Sequence, residues 1–239
     1  MSQWFASLQA DFIQTFITAD RWKTLLKGLG VTLEVTMLAL LIGVVLGVLV
    51  AVIRASHDQM ESQKKKNALM SALNGLCKLY LTVIRGTPVM VQLLIMYFVI
   101  LANSTNTVLT AVLTFGINSG AYVAEIVRSG IMSIDGGQME AGRSLGLNYV
   151  QTMWHIIIPQ AVKNILPALG NEFIALLKET SIVNVIGMKD ITKWAINVQG
   201  RTYQAFMPFI GIALVYLFMV VILSKLVDML ERRLRSSER

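Results

Sequence analysis

Three long runs without a charged residue limit the folds that this chain can adopt. They cover residues 35–53, 86–124 and 202–224 and are 19, 39 and 23 residues long. A helix needs about 20 apolar residues to cross the hydrocarbon core of a bilayer, so the first and third runs each predict one transmembrane span. The second run is long enough for two spans, and the polar stretch NSTNT at 103–107 supplies a turn between them.

A fourth apolar region, at 159–187, predicts a further span that is broken, because Pro167, Gly170 and several charged side chains interrupt it. An interfacial hairpin is the alternative interpretation. Only 15% of the residues are charged, against about 25% in average soluble domains. The sequence therefore predicts an all-α membrane protein with one transmembrane domain at 23–235. Its five spans are expected at about 28–54, 78–102, 107–131, 159–187 and 203–230.

The positions of lysine and arginine predict the orientation. Arg54 and the lysines at 64–66 follow the first span, and the end of the chain carries Arg232, Arg233, Arg235 and Arg239. Cytoplasmic loops are rich in these residues, so we expect the tail at 236–239 in the cytoplasm and, with five spans, the N-terminus outside. The net charge of +7 is interpreted as this orientation signal, and no nucleic-acid partner is predicted. Three cations near the N-terminus count against the orientation: Arg21, Lys23 and Lys27.

Residues 1–22 are predicted to form an amphipathic segment on the outer membrane surface. They lack the basic start of a signal peptide, and Asp11 interrupts their apolar pattern. Aromatic and aliphatic side chains share one helical face, as in helices that lie in the membrane interface. That face consists of Trp4, Phe5, Leu8, Phe12 and Phe16.

The sequence does not predict metal or nucleotide chemistry in this chain. Cys77 is the one cysteine, so it has no partner for an intramolecular disulfide. His57 and His155 are far apart and are interpreted as having no companions at ligand spacing, so no metal site is expected. The chain contains no Gly-Lys pair and therefore no phosphate-binding P-loop. If ATP and Mg²⁺ drive this protein, another chain binds them.

The polar stretch GGQMEAGRSLGLNYVQTMWHIIIPQ at 136–160 predicts two short helices around a tight corner. The first is expected at 138–145, and Gly146 stands where a helix end favours a left-handed residue. Asn148 followed by Gln151 fits a capping box that starts the second helix, and Pro159 is expected to end it. From the residues alone, an ordinary amphipathic connector is an equally good interpretation.

The residues Glu140-Ala141-Gly142, Gly146, Ile156 and Pro159 are spaced as in the EAA loop of ATP-binding-cassette (ABC) importer permeases, which this stretch resembles. Gly142 replaces the second alanine and Ile158 the leucine before the proline; the glycine costs the helix about 1 kcal/mol relative to alanine. The resemblance implies a coupling segment at 135–159 that docks on an ATPase. Its implied contact residues are Glu140, Ala141, Gly142, Leu145, Gly146, Ile156 and Pro159.

The resemblance extends to the polar amino acid permeases. It is carried by GLGVTLEVT, VIRGTPVMVQ, NSGAYVAEIVRSGI, GQMEAGRSLG and IIPQAVKNILPALGNEFIALLKETSIVNVIG. It implies a type I ABC importer permease of the bacterial inner membrane that takes up polar or cationic L-amino acids. The implied partners are two ATPase subunits, a second copy or a paralogous permease, and an extracytoplasmic binding protein. The segment at 56–75 is longer and more polar than this family leads us to expect.

Polar groups at membrane depth predict where substrate binds, because a charge near the bilayer centre costs about 2.5–3.5 kcal/mol on insertion scales. Glu172 follows the expected break, whose free backbone groups could hold a zwitterion. The third span adds four candidates in a stripe on one helical face, namely Asn118, Ser119, Tyr122 and Glu125. Alternatively, Glu125 could pair with Arg128, and Asn118 and Ser119 could serve helix packing. The predicted lining is Asn118, Ser119, Tyr122, Glu125, Asn171, Glu172, Lys178, Glu179, Thr180 and Ser181. Its acids favour cationic substrates only slightly over glutamine-type ones.

Two other function classes fit the sequence less well. An ion-coupled secondary transporter would also place acids on broken helices, but it normally has internal repeats, and the two halves show no convincing self-similarity. A membrane-embedded enzyme would need a constellation of His, Cys or Ser, and none is evident.

Overall fold

The computed structural model describes residues 2–62, 64 and 67–236, and its regular elements are all helical. The α-helices are α1 (Ser2–Phe12), α2 (Arg21–Ser62), α3 (Ala68–Gly86), α4 (Val89–Ile95), α5 (Thr107–Met132), α6 (Gly136–Ser144), α7 (Tyr149–Thr152), α8 (Ile158–Glu179), α9 (Ile191–Thr202) and α10 (Phe206–Ser236). Turns of π-helix cover Ile13–Ile17, Met96–Ile100 and Met153–Ile157, and 3₁₀ turns cover Thr18–Asp20 and Thr180–Ile186.

Three helical stretches of the described chain are long and apolar enough to cross a membrane: Trp4–Glu61, Thr107–Met132 and Phe206–Leu234. A fourth crossing is possible only as a bent pair, Ala68–Gly86 with Val89–Ile100, whose axes differ by 107°. The more charged α8 does not meet the same test. The predicted count of five spans therefore stays a prediction.

The span expected at 78–102 is not one straight helix. Thr87 is extended, with φ −122° and ψ 144°, and Pro88 follows it at φ −62°. A proline ring disfavours helical backbone in the preceding residue, so the helix stops at Gly86 and restarts at Val89 in a new direction.

The break expected near Pro167 and Gly170 is wrong, since α8 runs through both residues. Pro167 is buried, and a Cβ on Gly170 would lie 2.6 Å from Val227 Cγ2 of α10, so close packing supports the helix there. The α-helix gives way only after Glu179, where a 3₁₀ turn begins and runs to Ile186, with the left-handed Gly187 as its cap.

The prediction that the second helix of the coupling segment ends at Pro159 is also wrong. Helical backbone continues from Tyr149 through the π turn Met153–Ile157 into α8. A proline in the first turn of an α-helix removes an N–H that would have no partner, and Pro159 lies in the first turn of α8. The coupling segment is therefore joined to α8 as one helical run.

The N-terminal segment is helical, as expected, and is tied to the rest of the protein. A kink at Ala19, with φ 55°, separates it from α2. Phe16 stacks on Trp194 of α9 with ring centroids 5.6 Å apart. Gln204 Nε2 donates to Asp11 Oδ1 at 2.7 Å. Other members of the predicted apolar face stay exposed: Trp4, Phe5 and Phe12.

The core of the molecule is the contact between α2 and α5. Small residues recur every four positions along α2, which lets the two backbones approach closely, as is common between membrane helices. A Cβ on Gly43 would lie 2.8 Å from Ser119 Oγ, and one on Gly47 would lie 2.6 Å from Val123 Cβ. This close packing fixes α5 in the middle of the fold.

Candidate functional site

The centre of α5 carries two buried polar residues that connect it to neighbouring helices. Ser119 Oγ donates to Glu172 Oε1 of α8 at 2.7 Å. Asn118 Nδ2 donates to Gln92 Oε1 of α4 at 3.0 Å. Asn118 and Ser119 lie near the midpoint of the 26-residue helix, which is the expected middle of the bilayer. We refer to Gln92, Asn118, Ser119 and Glu172 as the central cluster.

The sequence reasoning missed Gln92. Its Nε2 group donates to Ile84 O at 2.8 Å, Thr87 O at 3.1 Å and Thr87 Oγ1 at 2.9 Å. Helix ends leave backbone carbonyls without intrahelical partners, and the amide of Gln92 satisfies two of them at the end of α3. A glutamine in an otherwise apolar run, four residues after Pro88, was the available signal.

Tyr122 and Glu125 have different surroundings, so the predicted stripe on α5 is divided. Glu125 pairs with Arg128 at 3.6 Å, as the alternative interpretation expected, and with Arg85 of α3 at 3.5 Å. The Arg85 guanidinium lies 5.8 Å from the centre of the Tyr122 ring. These side chains line a cleft of about 560 Å³ together with Arg54 and Lys78. We refer to it as the basic cleft.

The predicted lining residues of α8 and the following turn do not converge on one point. Asn171 is exposed and lines a groove that also contains Glu231 of α10. Glu179 is half-buried and lies seven residues from Glu172, on the same face of the helix. Thr180 is buried and donates to Leu177 O at 2.7 Å. The two other predicted residues are Lys178, which is exposed, and Ser181, which is half-buried.

The corner of the coupling segment has the predicted geometry. Gly146 has φ +84°. The capping box is present, since Asn148 Oδ1 accepts from Gln151 N and Gln151 Oε1 accepts from Asn148 N, each at 2.9 Å. The structure adds that Gly142 is buried against Thr152, where a Cβ would lie 2.6 Å from Thr152 Cγ2. The two helices that meet at the corner are therefore packed tightly together.

Large apolar side chains project from this corner into the surroundings: Leu145 is 81% exposed, Val150 70% and Trp154 67%. Glu140, Ala141 and Pro159 are also exposed, whereas Ile156 is half-buried against Gly142. Burial, and then the nearby Asp58 carboxylate of α2, raise the pKa of Tyr149 above its ordinary value. The end of α2 thus reaches the coupling segment.

His57 does have companions at ligand spacing, contrary to the sequence interpretation. Its Nδ1 lies 3.6 Å from Asp58 Oδ1 and 3.8 Å from Glu61 Oε2, on one turn of α2 where the histidine is half-buried and both carboxylates are exposed. Contacts of this kind are ordinary ion pairs when the histidine is protonated. The expectation that the chain binds no metal stays a prediction.

Over residues 43–236 the chain matches the model of a protein family described as binding-protein-dependent transport system inner membrane component. The chain belongs to this family. It is 42% identical over 162 residues to the arginine transport system permease protein ArtQ of Bacillus subtilis (strain 168), covering 66% of this chain and 74% of that relative. It is 36% identical over 166 residues to the glutamine transport system permease protein GlnP of Escherichia coli (strain K12), covering 68% and 76%.

Solved structures agree with the family. An amino acid ABC transporter solved with histidines has a TM-score of 0.82 and 41% identity to the chain, covering 92% of it and 98% of that chain. A chain of the inward-facing MetNI methionine ABC transporter has a TM-score of 0.71 at 18% identity, covering 93% and 100%, a likeness of fold alone. The resemblance seen in the sequence is confirmed: the fold is that of a type I ABC importer permease.

The family defines the chain as an inner-membrane permease subunit of an ABC transporter. Such permeases work with ATPase subunits and a substrate-binding protein, and the ion-coupled alternative is not favoured. The predicted orientation, the coupling role of 135–159 and the substrate-binding residues stay predictions.

Proposed function

We propose that this permease carries polar or cationic L-amino acids across the inner membrane and that the central cluster binds them on the way. The observation that carries the proposal is the pair of hydrogen bonds from Asn118 to Gln92 and from Ser119 to Glu172. They join three helices through polar groups halfway along α5. The arginine and glutamine permeases described above support an amino acid as the substrate class.

The chemistry of the central cluster suits a zwitterion. The Glu172 carboxylate can accept hydrogen bonds from an ammonium group, the side-chain amide of Asn118 can donate to a carboxylate, and Gln92 Oε1 can accept from a substrate amide. In the present structure Asn118 donates to Gln92 and Ser119 donates to Glu172, so an entering amino acid would exchange its hydrogen bonds for these. The cost of binding at this depth is thereby kept low.

The ion pairs of Glu125 reduce the negative charge that the predicted lining offers to a cationic substrate. Glu125 already faces Arg85 and Arg128, so it does not supply a free negative charge for a cationic side chain. Of the three glutamates in the predicted lining, Glu172 and Glu179 remain for that role, and they share one face of α8. A cationic side chain would extend from Glu172 towards Glu179, and a glutamine side chain would use the amides instead.

Transport requires that movement of the ATPases reach these helices. In the proposal, ATP and Mg²⁺ bind two partner ATPases, which meet the coupling segment at the exposed side chains of Leu145, Val150 and Trp154. Because the coupling segment continues into α8, a displacement there tilts the helix that carries Glu172. A second copy or a paralogous permease completes the pathway, with the N-terminus outside and the C-terminus in the cytoplasm.

The test is uptake by the complete complex in proteoliposomes, measured with arginine, lysine, histidine and glutamine. Glu172→Gln is expected to weaken uptake of the cationic amino acids at least tenfold while ATPase subunits still assemble. Asp228→Asn, a matched change on the exposed side of α10, should leave uptake within twofold of wild type. Unchanged kinetics of Glu172→Gln with all four substrates would remove Glu172 from the site. Uptake that continues on ion gradients without ATP would overturn the whole proposal.

A further inference from the structure

The basic cleft has a strong excess of positive charge that the transport function does not use. Arg54 of α2, Lys78 and Arg85 of α3, and Arg128 of α5 line its volume of about 560 Å³, and Glu125 is the one acidic side chain among the described residues that line it. Four cations therefore face one carboxylate. Like charges held together in this way repel one another unless an anion binds between them.

The carboxylate present does not neutralise the cleft. Glu125 lies 3.5 Å from Arg85 and 3.6 Å from Arg128, which is longer than the 2.7–2.9 Å of a strong charge-assisted bond. Within the described part of the chain, Arg54 and Lys78 have no carboxylate within ion-pair distance. Lys78 is exposed and Arg54 half-buried, so both cations are accessible to a ligand.

The position of the cleft along the helices points to the membrane boundary. Arg54 directly follows the charge-free run 35–53. A neighbouring cleft of about 1070 Å³ contains Arg54 and Arg128 together with Gly146 and Tyr149 of the coupling segment. The basic cleft is therefore open towards the end of the spans that carries the coupling segment.

We propose that the basic cleft binds the phosphate headgroup of an anionic membrane phospholipid. Guanidinium groups match phosphate oxygens with paired hydrogen bonds, and basic pockets between membrane helices at the cytoplasmic surface bind such headgroups. Exposed apolar side chains lie next to the cations on α3, where acyl chains would run: Leu79 is 60% exposed and Val83 48%. They favour a lipid over a free phosphate as the occupant.

The lipid would stabilise the joint between α2, α3 and α5. These helices hold the bent pair of α3 and α4 and the central cluster in place, so an anionic lipid is expected to raise the thermal stability of the complex.

The test uses the purified complex, titrated with cardiolipin, phosphatidylglycerol and phosphatidylcholine, with bound lipid counted by native mass spectrometry. Wild type is expected to retain both anionic lipids in preference to phosphatidylcholine. The double variant Arg54→Gln/Lys78→Gln should bind cardiolipin about 30-fold more weakly, since each cation near the surface is expected to contribute about fivefold in affinity. Arg54→Lys/Lys78→Arg should restore binding to within threefold.

The matched control is Lys225→Gln/Arg232→Gln on α10, which removes the same charge away from the cleft and should change cardiolipin binding less than threefold. Inorganic phosphate distinguishes the sources: if it displaces cardiolipin at millimolar concentration, a soluble phosphate is the ligand, and if it does not, the lipid is. Equal cardiolipin binding by wild type and Arg54→Gln/Lys78→Gln would overturn the proposal, as would equal binding of phosphatidylcholine and cardiolipin. If the double variant does not assemble, the exposed single variant Lys78→Gln decides the question, with a loss of about fivefold expected.

Discussion

At the scale of single residues, Gly142 shows how a departure from a family pattern can be required by packing. From helix propensity alone, Gly142→Ala would be neutral or mildly stabilising, because alanine favours a helix by about 1 kcal/mol. In the structure the new Cβ would lie 2.6 Å from Thr152 Cγ2 and 2.9 Å from Thr152 Oγ1. Thr152 is buried and donates to Asn148 O at 3.0 Å, so it resists displacement.

We therefore expect Gly142→Ala to destabilise the coupling segment, because overpacking costs about 1–3 kcal/mol and exceeds the gain in helix propensity. Thermal unfolding of the complex and ATPase retention during purification measure the effect. Gly136→Ala is the control, since no atom lies within 4 Å of its new Cβ. Thr152→Ser removes the colliding methyl group and should partly rescue Gly142→Ala. A Gly142→Ala protein as stable as wild type would contradict this prediction.

At position 146 the backbone conformation alone restricts which residues are tolerated. Its φ is +84°, and no atom lies within 4 Å of a Cβ built there, so the effect of a larger side chain is purely conformational. A β-branched residue in this conformation is strained by about 1–3 kcal/mol. Gly146→Val should reach normal membrane levels but retain its ATPase weakly and lose uptake. Gly146→Asn, which tolerates positive φ, should keep most activity. Normal assembly and uptake of Gly146→Val would refute the coupling role of the corner.

At the scale of the elements, the bend between α3 and α4 depends on Gln92. Gln92→Leu removes three hydrogen bonds to the end of α3 and the partner of Asn118. Leaving buried polar groups unpaired costs about 1–3 kcal/mol each, so we expect a clear fall in the unfolding temperature. Met90→Leu, an exposed change on the same helix, should have little effect. Equal unfolding temperatures for wild type and Gln92→Leu would show that the bend is held by other contacts.

At the scale of the whole molecule, the packing of α2 on α5 decides whether the central cluster forms. A Cβ on Gly47 would lie 2.6 Å from Val123 Cβ and 2.8 Å from Ala124 N, and a backbone atom cannot move aside. Gly47→Ala is thus expected to lower the free energy of unfolding by about 1–3 kcal/mol and to impair uptake, because α5 carries Ser119 away from Glu172. Gly30→Ala, with open space around its Cβ, should be neutral or stabilising. Thermal unfolding and uptake of both variants test this, and equal behaviour would contradict it.

The sequence alone determined the features that depend on local chemistry. Charge-free runs predicted an all-α membrane protein, and the spacing from Glu140 to Pro159 predicted the permease family, which the comparisons confirm. The left-handed Gly146 and the capping box at Asn148 were also predicted correctly, because each depends on the residues within one turn.

Only the tertiary structure decided features that depend on distant contacts. Packing against α10 keeps α8 helical through Gly170, and contact with Thr152 requires a glycine at 142. The stripe on α5 is divided because Ser119 meets Glu172, 53 residues away, while Glu125 meets Arg85, 40 residues away. Helical periodicity places residues on a face but does not say which neighbouring helix covers it, since that depends on how all the helices pack together.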